Sequence, residues 1–483
     1  MFNFVLMIHK LLKNKSLFYI LVGGAVFRLL FITVGAYIYF GRSNIFVDGD
    51  TSAWAHSFQN LLEIGHYTAN PEKEMGAFNR LPGYSFFLGL FYIICGHDWQ
   101  TTYKVVGWAQ TLLDISLIPV IYAVAKVLLK GQRPALIASA LYAFYPFVIV
   151  WNPVCYSEYM SIFIMGWSLF FLLRTEVRYN YSVAGALLGL GGLFRPQLLL
   201  LAPGFGLYIL YLYRQSLVQG IKHATIIAVF FILSYGSWPL RNFINYGKII
   251  PVQDLTGANN WSPDVIAYMQ YMFAIKTDWF PQFTQIIENK PYEISPFAYA
   301  SKQDSLKLLT AIDMAKNCSR GFSHWRGYWK DIVPESADCG KELEQYFTEL
   351  RANIIKAYPV HFYLIVPLNN LKKALFKISL SDTKTMARKA ASVLFIYRTL
   401  LIILGLTGAI LMFLGAEHQL RSFALLSIIY FLIVYLFLCA GTGTQTRNIE
   451  MRYFLHPDLI LLFPAAFLIN RLSIKKHKQI AES

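Results

Sequence analysis

The sequence predicts an all-α polytopic membrane protein of about ten transmembrane helices with a small α-rich cap on its outer face. Three observations lead there. The chain has 483 residues, of which 56% are hydrophobic and only 14% charged; with a mean hydropathy of +0.44 it is too apolar for a soluble multidomain protein. Its apolar residues gather into runs that approach or exceed the ~20 residues needed to cross a bilayer core. Its Lys and Arg residues stand at the ends of these runs, in an alternation that separates cytoplasmic from outer ends.

The first run, 17–40, follows Lys10, Lys13 and Lys15. It is too long for a cleavable signal and has no small-residue cleavage site, so it reads as a span with a cytoplasmic N-terminus. Segment 41–103 is then outside. Within it 81–96 reads as a juxtamembrane or shallow helix, because counting it as a span would put later basic clusters on the wrong side. Runs 105–129 and 134–151 follow, with Lys126, Lys130 and Arg133 at their cytoplasmic ends. Shorter or interrupted runs at 159–173, 183–194 and 198–213 carry Arg174, Arg178, Arg214 and Lys222 on that same side. Gly185, Gly189, Gly191 and Gly192 read as small-residue packing between membrane helices rather than a phosphate loop. Run 224–240 leads out to the longest polar stretch, 241–391. There 340–357 has a helical pattern, and 360–376, apolar with Lys372, Lys373 and Lys377 at one end, reads as an interfacial or re-entrant helix. Runs 393–416, 423–440 and 454–469 complete the bundle, with Arg421 and the basic group at 471–478 inside and the short hinge 441–453 outside. The expected organisation is an N-terminal transmembrane module 1–240 whose first outer loop is 41–103, an outer segment with its interfacial helix at 241–391, and C-terminal transmembrane helices at 392–483.

The net charge of +16 does not indicate nucleic acid, because the basic residues are scattered over span ends instead of one soluble face. The partners it suits are the membrane and lipid phosphates. Cys318 and Cys339 fall together in the outer segment, where a disulfide is favoured; a loop of that size stabilises by about 3 kcal/mol in the chain-entropy account.

Asp48 and Asp50 stand just beyond the first span. Asp50 with Trp54 at i+4 puts a carboxylate and an aromatic ring on one helix face, and a carboxylate can accept the proton of an attacking hydroxyl. Asp48 is the rival for that role, and both acids could instead cap a short helix. Glu158 begins a span, where a negative charge suits the helix dipole and an ionisable group at the membrane boundary is costly unless used or paired. Arg28, Asp114 and Arg398 lie within spans and read as structural. On the outer face Arg195, Arg241, Lys248, Arg447 and Arg452 depart from the positive-inside pattern. Cations fixed there could hold a departing phosphate. Arg195, Arg241 and Arg452, beside Pro and aromatic residues, are the stronger cases; Lys384, Arg388 and Lys389 read as snorkelling to headgroups. His56, His66, His97, His361 and His456 have no metal-ligand spacing. Asp48 with Asp50 is a weak divalent-cation signal, so no metal or other cofactor is expected.

Short motifs then recur along the chain: Gly49-Asp50-Thr51, Asn60-Leu61-Leu62, Gly65-His66-Tyr67, Arg80-Leu81-Pro82-Gly83-Tyr84, Ala143-Phe144-Tyr145-Pro146, Ser157-Glu158, Gly189-Leu190-Gly191-Gly192-Leu193-Phe194-Arg195-Pro196, Trp238-Pro239-Leu240-Arg241-Asn242-Phe243 and Glu450-Met451-Arg452-Tyr453. Together they resemble the bacterial membrane glycosyltransferases of the GT-C class, in the branch of dolichyl-phosphate-mannose protein mannosyltransferases and the lipid A aminoarabinose transferase. The resemblance implies a GT-C-like helical bundle in the bacterial inner membrane with its active site facing the periplasm. It implies a polyprenyl-phosphate-linked sugar as donor, a lipid, glycan or protein as acceptor, and inverting transfer. Asp50 takes the base role by this resemblance, Arg195, Arg241, Arg452 and Lys248 are expected at the donor phosphate, and Trp54, Arg80 and Tyr84 are expected to line the substrate. Trp54, Phe58 and Ser85 depart from the residues usual at their positions, on the side where sugar or acceptor would lie. The alternatives are a ligase or polymerase of lipid-linked glycans, or a lipid or solute transporter, for which a break around Arg195 and Pro196 would fit.

Overall fold

The computed structural model describes residues 14–254, 262–276, 279–330, 339–376, 386–441 and 451–482. Lys10, Lys13, Lys377, Lys384, Arg447 and Glu450, named above, lie outside them.

Helix α1 (Lys15–Phe40) starts where Asn14 Oδ1 accepts from the free amides of Ser16 and Leu17 at 3.1 and 3.4 Å, a capping arrangement. It stops at Gly41, whose φ of 63° is a left-handed value that glycine adopts without a Cβ penalty. Segment 41–103 then forms α2 (Thr51–Ile64) and α3 (Pro82–Ile94). At 13 residues, α3 rises about 20 Å, too short for the ~30 Å hydrocarbon core, as its reading as a shallow helix requires. Helices α4 (Trp99–Leu129), α5 (Gln132–Trp151), α6 (Ser157–Leu173), α7 (Asn180–Phe194), α8 (Pro196–Leu212) and α9 (Leu217–Tyr235) build the N-terminal bundle. Helix α5 breaks before Pro146, where Tyr145 is extended at ψ 104° because proline disfavours a helical residue ahead of it. The glycines of α7 do serve packing: a Cβ on Gly185 or Gly189 would come within 2.3 and 2.5 Å of the Ile227 and Phe231 carbonyls of α9.

After α10 (Ser237–Tyr246) comes the cap, with α11 (Pro263–Ile275), α12 (Phe280–Ile287), α13 (Lys302–Asn317), α14 (Arg320–Lys330) and α15 (Gly340–Ala357). These helices share a core of Tyr268, Tyr271, Phe283, Phe322, Leu343 and Phe347. The Cys318–Cys339 disulfide forms, joining the end of α13 to the start of α15. Helix α16 (Val366–Phe376) lies against the helix His418–Ala440, Asn370 Nδ2 donating to the Cys439 carbonyl at 2.9 Å, while its Leu368 stays exposed. The bundle closes with α17 (Met386–Leu414), α18 (His418–Ala440), α19 (Leu455–Ile460) and α20 (Leu462–Glu482).

Among the described residues there is no strand, and six helices are long and apolar enough to cross a membrane, or seven if the bent pair Met451–Ile460 and Leu462–Ile474 is one span. The other stretches read as spans, in α6, α7 and α8, are shorter apolar helices. This is a multi-pass membrane protein. Two buried ion pairs tie its helices together, Arg28 to Asp114 and Arg398 to Asp458, each at 2.6 Å. Arg28 also donates to the Ala143 carbonyl at the α5 break, satisfying a backbone group that lipid cannot.

Candidate active site

Asp50 stands at the N-cap position of α2 yet makes no capping bond. Asp48 turns back on the backbone instead, its Oδ1 accepting from Gly49 N at 2.8 Å, and pairs with Arg42 at 3.4 Å. The Asp50 carboxylate faces two guanidinium groups: Oδ1 lies 2.8 Å from Arg80 Nη2, and Oδ2 lies 2.8 Å from Arg452 Nη2.

The segment carrying Asp50 is pinned at both sides. Thr51 Oγ1 donates to the Cys155 carbonyl at 3.1 Å, and Cys155 N donates to the Phe46 carbonyl at 2.8 Å. Both segments settle onto α4 at Gly107, where a Cβ would come within 2.5 Å of the Phe46 ring and 2.7 Å of the Pro153 carbonyl. Gln110 of α4 donates to the Asn152 and Val154 carbonyls at 2.9 and 3.0 Å, and Asn152 donates to Asp114 at 3.1 Å. The buried Arg28–Asp114 pair therefore anchors the segment that presents Tyr156 and Glu158.

Arg195 precedes Pro196, which holds it extended at φ −148° and ψ 123°; that turn ends α7 and sends its side chain toward α6. Arg195 Nη2 lies 2.7 Å from Glu158 Oε1, and Arg452 Nη1 lies 3.4 Å from the same oxygen. Arg195 Nη1 also donates to Ser157 Oγ at 3.3 Å. Aromatic faces support each cation: Arg80 lies over Trp54 at 4.9 Å, Arg452 over Tyr156 at 4.4 Å, and Arg195 over Tyr453 at 5.0 Å. Such stacking suits guanidinium, which is weakly hydrated. The outcome is a row of alternating charge, Arg80, Asp50, Arg452, Glu158, Arg195, with one net positive charge.

The row is open at one place. The side chains of Arg80, Arg452, Arg195 and Glu158 are 8%, 6%, 9% and 1% exposed, whereas Asp50 is 33% exposed. Burial pushes the Asp50 carboxyl up, but Arg80 and then Arg452 outweigh it and hold the group at about 2. Beside the row, His456 Nε2 lies 2.7 Å from Ser161 Oγ, and that hydroxyl donates to the Glu158 carbonyl at 2.7 Å.

Not every expected site residue joins this row. Arg241 donates to the carbonyls of Ala77 and Tyr67 at 2.9 and 2.8 Å and stacks on Tyr67, Trp238 and Tyr246. The Tyr67 hydroxyl, pushed up to about 12 by burial, donates toward the Arg80 and Leu81 carbonyls at 3.1 and 3.2 Å. Arg241 thus braces from behind the segment that delivers Arg80. Lys248 pairs with Glu74 at 3.0 Å, apart from the row. Tyr84 is fully buried, its hydroxyl donating to Gln110 Oε1 at 2.7 Å and its ring edge-on to Trp54 at 5.3 Å; it supports the site from below. Arg80, anticipated only as a lining residue, is a direct partner of Asp50. Tyr156 and Tyr453 are not among the residues expected at the site, although Tyr453 adjoins Arg452 and Tyr156 lies just ahead of Glu158. Among the described residues no group of three or more His, Cys, Asp or Glu converges.

Residues 79–238 match the family described as dolichyl-phosphate-mannose-protein mannosyltransferase, a stretch that contains Arg80, Glu158 and Arg195. No curated protein matches the chain. Its fold matches that of the oligosaccharyltransferase AglB from Archaeoglobus fulgidus, in complex with an inhibitory peptide and a dolichol-phosphate. The TM-score is 0.52 at 13% identity, over 97% of this chain and 52% of that one. The same archaeal enzyme in complex with Zn and sulfate gives 0.51 at 14% identity, over 96% and 50%. This chain therefore spans about half the length of that oligosaccharyltransferase. ArnT from Cupriavidus metallidurans, bound to undecaprenyl phosphate, aligns over 91% of this chain and 77% of its own at 15% identity, with a TM-score of only 0.36. The helical bundle shares its fold with that oligosaccharyltransferase, as the motif resemblance implied.

Proposed function

We propose that this membrane protein of GT-C fold is an inverting glycosyltransferase that moves a sugar from a polyprenyl-phosphate donor to a hydroxyl or phosphate of an outer-face acceptor, whether lipid A, a surface glycan or a protein. The observation that carries the reading is the charge of the row. Three guanidinium groups face two carboxylates, leaving one positive charge for the single negative charge of a sugar phosphodiester. In the transfer to a hydroxyl, the acceptor oxygen forms a bond to the anomeric carbon as the bond from that carbon to the phosphate oxygen breaks. The electron pair leaves with the phosphate, which gains a second negative charge, and the hydroxyl proton passes to Asp50. The row with its substrates stays neutral before and after, which matters where the dielectric is low and charge is costly to bury. Arg452, flanked by Arg80 and Arg195, would face the negative charge that grows on the phosphate, and Glu158 holds Arg452 and Arg195 in register.

No resident metal is proposed, because both carboxylates of the row are engaged by guanidinium groups. The protein is proposed to reside in a bacterial inner membrane with this site toward the periplasm. The Lys/Arg alternation supports that orientation, as does a disulfide in the cap, which belongs to an oxidising compartment.

The likeness to an oligosaccharyltransferase favours a second reading, in which a whole glycan rather than one sugar leaves a polyprenyl phosphate. Mass spectrometry of lipids from a deletion strain separates the two. Accumulation of a polyprenyl-phosphate monosaccharide supports the first, accumulation of a polyprenyl-phosphate glycan of several sugars supports the second, and an unchanged lipid pool contradicts both.

A further inference from the structure

The most accessible member of the row is the one that neutralises two of its cations. Each Asp50 oxygen takes one guanidinium at 2.8 Å, from Arg80 on one side and Arg452 on the other. A phosphate presents the same pattern to arginine, two oxygens each receiving N–H donors. The cations themselves are nearly buried, at 8% and 6% exposure, while the carboxylate between them is 33% exposed. An anion arriving from the open side therefore meets Asp50 before it meets either cation. Arg195 is occupied differently: its partner Glu158 is 1% exposed and braced at the start of α6. A carboxylate bridging two guanidinium groups is also a poor proton acceptor, so the contact seen here and the role proposed for Asp50 belong to different stages of one cycle.

We infer that Asp50 is a resident occupant of the donor-phosphate seat: the incoming phosphate takes Arg80 and Arg452 from it, and only then is the carboxylate free to act as base. This rests on the reading of the protein as a polyprenyl-phosphate glycosyltransferase. In the empty enzyme Asp50 neutralises Arg80 and shares Arg452 with Glu158. In the loaded enzyme it loses two positive neighbours and gains a negative one, and its affinity for a proton rises. The groups around it are Arg80 from the segment before α3, Arg452 from the segment before α19, Arg195 from the α7–α8 turn, Tyr156 and Glu158 from the start of α6, and Asp48 on its own segment. Donor therefore binds first, and an acceptor hydroxyl entering an unloaded site meets no base.

The test is the affinity of undecaprenyl phosphate for purified full-length protein in nanodiscs. Asp50→Asn and Asp50→Ala remove the competing charge, and each is expected to bind this probe at least about tenfold more tightly while losing turnover. Asp48→Asn, which removes an equal charge paired with Arg42, is expected to bind as wild type does, so that tightening by Asp48→Asn as much as by Asp50→Asn overturns the exchange in favour of simple charge repulsion. Unchanged or weaker binding by folded Asp50 variants that have lost turnover overturns the exchange and leaves the base role standing. Wild-type turnover in Asp50→Asn removes the base role itself, and the exchange with it. Infrared difference spectroscopy on the wild-type protein gives a second readout that needs no variant: adding undecaprenyl phosphate shifts a carboxylate band as its guanidinium partners leave, and unaltered carboxylate bands overturn the exchange.

Discussion

Arg452 and Asp50 lie 402 positions apart in the chain and meet at 2.8 Å. Their contact joins segment 41–103 to the bent helix pair Met451–Ile460 and Leu462–Ile474, so the site closes only when the N- and C-terminal parts of the bundle pack together. Arg452 also reaches Glu158 and is the cation shared by both acids.

Arg452→Ala should lower kcat/KM for the donor by about 10²–10³-fold, the loss typical of one group that stabilises developing charge. Arg452→Lys should recover only part of it, because a point charge cannot serve two carboxylates or stack on Tyr156 as a guanidinium does. Steady-state kinetics with a polyprenyl-phosphate sugar check this, and full activity in the Lys variant would show that geometry is unimportant there.

Arg241→Ala should act on folding before catalysis. It strips bonds from the Ala77 and Tyr67 carbonyls, and each buried carbonyl left unpaired costs about 1–3 kcal/mol. The expected result is a lower melting temperature in detergent, with donor KM changed far less than in Arg452→Ala. An undisturbed melt with a large rise in donor KM would return Arg241 to the phosphate site.

Legibility from sequence followed the range of the interaction. The spans were readable because burial in lipid imposes a run length on each helix independently, and α3 was separable from them because its length and the basic clusters agreed. The 340–357 helix and the Cys318–Cys339 bridge were readable for the same local reasons. Arg241 and Arg195 carried one signal, a cation beside Pro and aromatic residues, yet one meets carbonyls and the other a carboxylate. What a guanidinium meets is decided by the packing of segments distant in sequence, and nothing beside it encodes that. Asp48 and Asp50 were likewise equivalent as capping residues, and the backbone turn at Gly49 separates their directions. Glu158 read equally as a helix-start charge or as a functional group, and only its partners Arg195 and Arg452 show why it is buried.

Acid should weaken the fold through Asp50. Its folded value of about 2 lies below the ordinary carboxylate value of about 3.9, so its contribution is fully present above about pH 4 and is lost as pH falls toward about 2. Melting temperatures of wild type and Asp50→Asn across that window should converge as pH drops. A constant difference would show that Asp50 is not the group titrating.

Reduction of Cys318–Cys339 should loosen the cap alone. The bridge spans a separation of 21 residues, for which the loop-entropy account gives about 3 kcal/mol. Cys318→Ser should therefore make the 263–357 region more sensitive to protease while the transmembrane bundle stays resistant; equal resistance of cap and bundle would count against it.

In the proposed mechanism the Asp50 carboxylate accepts the acceptor's proton in transfer from a lipid phosphate. The most direct measurement of that transfer is the release of polyprenyl phosphate from a polyprenyl-phosphate-linked sugar by purified protein, with acceptor glycan present and no ion gradient. Wild type should turn over, and Asp50→Asn, similar in size but without basicity, should be slower by about 10²–10⁴-fold. Equal rates in the two proteins would contradict the assignment.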